Sequence, residues 1–212
     1  MILSLVDYGM GNVGPLRTAL LATGAEVRLA TRGDQLGAED AIVLAGVGAF
    51  GDGMRALRER DFLGPLAVNV RERKKPFLGV CLGMQLLADR SFELGEHEGL
   101  GWIAGEVRRF EKTPSLRVPQ MGLNHVVGGG RLFQGVPPMS SFYFVHGFHF
   151  VPAAEASVCA WSEYGTRFAA ALEQDNVFAV QFHPELSDEQ GLAVLKNFAA
   201  VSEARAIPGA AR

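Results

Sequence analysis

The sequence predicts an α/β fold: an open, mostly parallel sheet flanked by helices, with a β-rich antiparallel extension in the second half. Three observations carry this. The chain opens as strand, glycine-rich turn, helix and strand, the unit from which parallel sheets are built. A later apolar run at 77–80 passes through Gly79-Val80-Cys81-Leu82-Gly83 into helix formers, so a second strand also hands over to a helix. From Gly105 onward, short extended runs alternate with glycine and proline, the texture of hairpins. With 212 residues, 48% of them apolar, the chain can bury the core of one domain. A formal net charge of −3 gives no reason to expect nucleic acid. No stretch reaches membrane-spanning length, and Met1 leads into the first strand without a charged signal region, so no membrane and a cytoplasmic location are expected. We expect a single domain over 1–200 and a frayed tail over 201–212.

Taken in order, Ile2–Val6 is a buried strand and Asp7-Tyr8-Gly9-Met10-Gly11-Asn12 is its turn. A helix over 13–23 follows, with Pro15 in its first turn and Gly24 as its stop, and then a strand over Glu26–Ala30. The turn also spells Gly9-Met10-Gly11-Asn12-Val13-Gly14, a formal dinucleotide fingerprint. That reading lacks its acid, because the second strand runs out in Thr31-Arg32 and Asp34 lies beyond Gly33. Residues 41–44 make a third strand, and Gly46-Val47-Gly48-Ala49-Phe50-Gly51 is a loop whose backbone can approach a ligand closely. Amphipathic helical stretches at 54–60 and 63–73 lead to the strand at 77–80, and a polar loop at 91–101 follows its helix. Extended segments at 106–110, 117–125, 141–151, 168–172 and 177–182 form the antiparallel extension, and a helix over 192–200 closes the chain.

The chemistry centres on Gly79-x-Cys81-x-Gly83, the cysteine counterpart of a nucleophile elbow. At the start of a helix the thiolate is favoured, and the N–H of Leu82 faces the place where an oxyanion would form. A structural cysteine in a βα turn would read the same way, so a base elsewhere decides. His183-Pro184-Glu185 supplies one. Two positions apart in extended backbone, the imidazole and the carboxylate project to one side, and Pro184 stiffens the arrangement. The imidazole would carry protons and the carboxylate would orient it. His146 and His149 fall three apart on one expected strand, hence on opposite faces, and cannot share a metal. His97 and His125 read as surface residues and Cys159 as core. No metal and no cofactor is expected, and both cysteines should be reduced.

With these motifs stand Gly46-Val47-Gly48-Ala49-Phe50, Val118-Pro119-Gln120-Met121-Gly122-Leu123-Asn124 and Tyr143-Phe144-Val145-His146. Together with Asp7-Tyr8-Gly9-Met10-Gly11-Asn12, they make the chain resemble, over 2–198, the class I glutamine amidotransferases, in particular the glutaminase subunits of imidazole glycerol phosphate synthase. The resemblance implies hydrolysis of L-glutamine to glutamate and ammonia by Cys81 as nucleophile, His183 as acid and base, and Glu185 as its orienter. It gives Leu82 and Val47 to the oxyanion hole, and Gly46, Gly48 and Gln85 to the glutamine pocket. It implies a heterodimer with a (β/α)8-barrel cyclase. That partner uses the ammonia on a phosphoribulosyl aminoimidazole-carboxamide nucleotide to make imidazole glycerol phosphate and AICAR, in histidine biosynthesis. One oxyanion N–H is expected to be turned away at rest and to swing in when the cyclase binds its nucleotide. Three positions depart from the family pattern: Ala45 stands where proline is usual, Leu123 where tryptophan is, and Leu186 where lysine is common. The alternatives are a glutaminase of another pathway in the superfamily, or a silent regulatory subunit on the same fold. The Asp7–Asn12 and Tyr143–His146 motifs argue against the first, and the presence of both Cys81 and His183 against the second.

Overall fold

The computed structural model describes residues 1–11, 13–114 and 116–206. Its first half contains β1 (Ile2–Val6), α1 (Val13–Leu21), β2 (Glu26–Ala30), β3 (Ala41–Gly46), α2 (Phe50–Glu59) and α3 (Leu63–Leu66), then β4 (Phe77–Cys81) and α4 (Leu82–Gln85). Two short strands, β5 (Arg90–Ser91) and β6 (His97–Glu98), and β7 (Gly105–Arg109) come next. The second half is β8 (Gln120–Gly128), β9 (Ser140–His146), β10 (Phe148–Pro152), β11 (Val158–Glu163), β12 (Arg167–Gln174), β13 (Val177–Val180) and α5 (Asp188–Ala206).

The main sheet has nine strands in the order β2-β1-β3-β4-β13-β12-β11-β8-β9. The neighbours from β2 to β13 pair in parallel and those from β13 to β9 antiparallel, which is the expected parallel sheet with its antiparallel extension. Register decides where the chemistry falls. Gly46 lies opposite Cys81, and Val180 opposite Val80, so the carboxyl ends of three adjacent strands converge on one edge. That edge is where α/β sheets bind ligands.

Alternation along the strands buries both faces. Leu3, Leu5, Val43, Leu78, Val80 and Phe178 join Leu16 and Leu20 of α1 and Leu195 and Phe198 of α5 on one side. Ile42, Leu44, Phe77 and Ala179 join Phe50 and Leu57 of α2, Leu66 of α3, and Val107 and Phe150 of a second sheet on the other. That second sheet has the order β10-β7-β5-β6.

Several expectations need correcting. The stretch at 91–101 is not all loop: Arg90 pairs with Glu98 and Ser91 with His97, and β5 joins β7 in parallel. Its polar side chains suit a solvated sheet edge, which is why it reads as loop. The helix expected from 63 is α-helical only to Leu66 and widens to a π-helix over Ala67–Glu72. There the Asn69 side-chain amide donates to the Pro65 carbonyl at 2.9 Å, occupying the acceptor that an α-helical N–H would use. The single strand expected around 141–151 breaks at Gly147, where β9 leaves for the main sheet and β10 for the second. The frayed tail expected from 201 is helical to Ala206, with Ser202 buried and its hydroxyl bonded to the Phe198 carbonyl. The remainder of that expectation, 207–212, lies outside the described residues. Among the described residues, no helix is long and apolar enough to cross a membrane.

Candidate active site

Cys81 ends β4 with φ 54° and ψ −109°, a backbone that non-glycine residues seldom adopt, and α4 begins at the next residue. The two glycines make this turn possible. A side chain at Gly79 would place its Cβ 2.7 Å from the Gly83 carbonyl, and one at Gly83 would run into the Leu44 carbonyl of β3. The helix that follows is shorter than expected, four residues rather than a run to 88, because the chain tightens into turns after Leu86.

His183 and Glu185 come together beside this cysteine, but not on the extended backbone expected: His183 is extended (φ −97°, ψ 99°) and Pro184–Leu186 is a 3-10 turn, which brings the carboxylate back to the ring. The His183 N–H donates to the Tyr143 carbonyl at 2.8 Å, and the His183 carbonyl accepts from the Ser187 hydroxyl at 2.6 Å, so the backbone is pinned on both sides. His183 Nδ1 bonds Glu185 Oε1 at 2.8 Å, and the two side chains are 7% and 10% exposed. Nε2 is buried, with the Cys81 thiol beside it. Burial alone would lower the His183 pKa. The hydrogen bonds and charges of Cys81 and Glu185 outweigh it and raise it to about 10, so the imidazolium is the favoured form of His183.

A cavity of about 250 Å³ opens onto the sulfur. Its walls include Val47, Gly48, Cys81, Leu82 and Gln85, five of the residues expected there, and Gly46 lies behind them at the end of β3. Gln85 is held in place by its amide, which donates to the Phe148 carbonyl at 2.9 Å and to Gln181 Oε1 at 3.0 Å. Val47 is the exception in orientation. Its N–H donates to the Met10 carbonyl at 2.7 Å, away from the place an oxyanion would occupy.

Four residues of the site escape a reading by motif. Glu93 lines the cavity from the segment after β5, and its carboxylate accepts the Phe50 N–H at 2.7 Å. Gln181, fully buried, bridges Gln85 and Cys81, its amide 3.8 Å from the sulfur. Ser187 supports the backbone of His183. His146 also lines the cavity: its Nδ1 donates to the Phe148 carbonyl at 2.7 Å, which leaves Nε2 a buried acceptor without a partner. Burial first, then the charges of His149 and His183, push its pKa down to about 4, so it is neutral. His146 and His149 are not separated as the one-strand reading predicts, for both rings pack on Phe110 across the Gly147 break. Among the described residues, no cluster of three or more acidic, histidine or cysteine side chains could hold a metal. The Gly9–Gly14 turn is filled by Arg60, whose guanidinium lies against Gly9 and donates to the Asp7 carbonyl at 3.0 Å.

Comparison with known proteins places this geometry in a family. The family model described as "Glutamine amidotransferase class-I" matches residues 4–201. The chain is 42% identical over 200 residues to imidazole glycerol phosphate synthase subunit HisH 1 of Campylobacter jejuni, covering 93% of this chain and 99% of that one. It is 41% identical over 198 residues to subunit HisH of Moorella thermoacetica, covering 92% and 93%. Among solved structures, one described as a glutamine amidotransferase superposes with TM-score 0.75 at 20% identity over 94% of this chain and 98% of that one. The structure of PurLQS from Thermotoga maritima gives 0.73 at 21% over the same shares. At such identities these two matches speak for the fold. The chain belongs to the class I glutamine amidotransferases and, within them, to the HisH subunits of imidazole glycerol phosphate synthase.

Proposed function

We propose that this subunit hydrolyses L-glutamine with Cys81, His183 and Glu185 and delivers the ammonia to a (β/α)8-barrel cyclase. The observation that carries the reading is the buried Glu185–His183 pair beside Cys81 at the mouth of the cavity. The Cys81 thiolate attacks the glutamine carboxamide carbon, and negative charge moves to its oxygen. Leu82 N–H and Val47 N–H receive that charge, each such donor being worth about 10²–10³-fold in rate at comparable sites. His183, protonated, gives its proton to the departing nitrogen as the C–N bond breaks, leaving ammonia and a thioester. It then takes a proton from water, whose oxygen displaces the sulfur and releases glutamate. Glu185 holds the ring in register throughout. Gly46, Gly48 and Gln85 shape the pocket for the carboxamide end, and the Glu93 carboxylate suits the α-ammonium group.

The Val47–Met10 hydrogen bond describes a resting state. With that donor turned away, the transition state lacks about 2.7–4 kcal/mol of stabilisation. Binding of the cyclase with its nucleotide turns the Gly46–Val47 peptide and supplies it. The surface for that partner is the ridge made by Met121 and Leu123 of β8 and by Leu186, which are 66%, 64% and 49% exposed. Leu123 pairs with Tyr143, and Tyr143 bridges to His183, so this ridge adjoins the site through which ammonia would leave. The cyclase would convert its phosphoribulosyl aminoimidazole-carboxamide nucleotide to imidazole glycerol phosphate and AICAR in histidine biosynthesis, in the cytoplasm.

The test is Cys81→Ala in the complex. Glutamine-dependent synthesis should vanish while synthesis from added ammonia persists, since the ammonia-using chemistry belongs to the partner. Undiminished glutamine turnover would remove Cys81 from its role.

A further inference from the structure

Tyr8 is 1% exposed, and its hydroxyl has no hydrogen-bond partner although it lies within the core of one sheet face. Such a group costs stability in the state that leaves it unpaired, which asks for a function in another state. Its position points to that state. A Cβ on Gly46 would collide with the Tyr8 hydroxyl, and the same Cβ would lie 3.2 Å from the Met10 carbonyl. That carbonyl is the acceptor of the Val47 N–H. The phenol, the Met10 carbonyl and the Gly46–Val47 peptide therefore meet at one point. Burial first, and the charge of Cys81 second, raise Tyr8 well above the ordinary phenol range, so the hydroxyl stays a donor at working pH.

A trans peptide carries its N–H and C=O on opposite sides. When the Gly46–Val47 peptide turns its N–H into the cavity, the Gly46 carbonyl comes round to the side of the Met10 carbonyl. Two acceptors then share a buried place that has lost its donor. We infer that Tyr8 is a positioning residue of this switch: its hydroxyl, idle at rest, donates to the Gly46 carbonyl after the turn and so holds the Val47 N–H in the active site. The inference rests on the peptide turn of the preceding section.

Tyr8→Phe keeps the ring and removes only the donor, so it tests the claim in the intact complex with nucleotide-bound cyclase. The kcat for glutamine should fall about tenfold, the size of one lost hydrogen bond to a buried acceptor. KM should stay within about twofold, as expected where the donor that Tyr8 holds in place acts on the transition state and not on bound glutamine. Ammonia-supported synthesis should persist, showing that the variant folds and docks. The melting temperature of the free subunit should be equal or higher, because the unpaired hydroxyl has gone. Full activation of Tyr8→Phe would overturn the inference. So would a lowered melting temperature with kcat falling equally in the free and activated enzyme, which would mark Tyr8 as structural. A changed rate of Cys81 alkylation by iodoacetamide would assign the hydroxyl to the thiol instead. If the wild-type protein itself is not activated by nucleotide-bound cyclase, the peptide turn fails, and that outcome is read separately from any result on Tyr8.

Discussion

At residue scale the site is built from strain and pairing. Holding Cys81 at φ 54° costs about 1–3 kcal/mol, which the close glycine packing around the elbow must offset. Gly83→Ala should therefore destabilise the protein by about 3 kcal/mol or more, since its Cβ meets a backbone carbonyl that cannot move aside. Denaturant unfolding measures this, and a loss below about 1 kcal/mol would mean that the elbow yields more easily than its packing indicates. His183 and Glu185 divide their task unequally. His183→Asn should lose at least about 10²–10⁴-fold in turnover, the worth of a proton carrier. Glu185→Gln should cost less, because it orients the ring without transferring a proton. The reverse order of damage would exchange the assigned roles. Cys159 is a different kind of thiol. Burial, and then the Glu173 charge, push its pKa up to about 12, so alkylation near neutral pH should label Cys81 and spare Cys159, as peptide mass spectrometry can read.

At element scale the proposed switch lies at the end of β3. Ala45 occupies the place where the family usually has proline, so its φ is held by the pairing of β3 with β4, where it lies opposite Val80, and not by a ring. Beyond that pairing, the Val47 N–H is held by the Met10 carbonyl at 2.7 Å. Ala45→Pro should lower basal glutamine turnover and enlarge the activation by cyclase. An unchanged basal rate would show that the loop is already fixed at rest. How far these elements were legible follows from how local their determinants are. The elbow and His183-Pro184-Glu185 could be read because each is a short pattern tied to one strand end. So could the parallel half of the sheet, whose strands are apolar on both faces. Glu93 and Gln181 could not, because each reaches the site by a contact that spans dozens of residues; Ser187 lies near His183 in sequence but carries no motif, and the place of His146, though it stands in a quoted motif, depends on the turn of the strand at Gly147. The π-helix and the β5–β6 edge escaped for a related reason. One depends on a side chain competing for a backbone carbonyl, the other on strand pairing that polar residues do not announce.

At the scale of the whole molecule, two histidines bias stability in opposite directions with pH. His183, raised to about 10, adds stability that is complete below its ordinary value of 6.5 and is lost as pH rises through 10. His146, lowered to about 4, adds stability present above 6.5 and lost as pH falls through 4. Thermal unfolding across pH should show an alkaline decline that is blunted in His183→Asn, and an acid decline between 6.5 and 4 that is blunted in His146→Asn; unaltered profiles in both variants would contradict these protonation states. Exposed Leu123 on β8 is joined to the buried site through its pairing with Tyr143, which bridges to His183. On the proposed function, the isolated subunit has Cys81, His183 and Glu185 assembled but the Val47 N–H turned to the Met10 carbonyl. Steady-state glutamine hydrolysis by the wild-type chain, alone and with nucleotide-bound cyclase, tests this most directly. The account predicts that kcat rises about 10²–10³-fold on binding, the worth of one oxyanion donor, and equal turnover with and without the partner would contradict it.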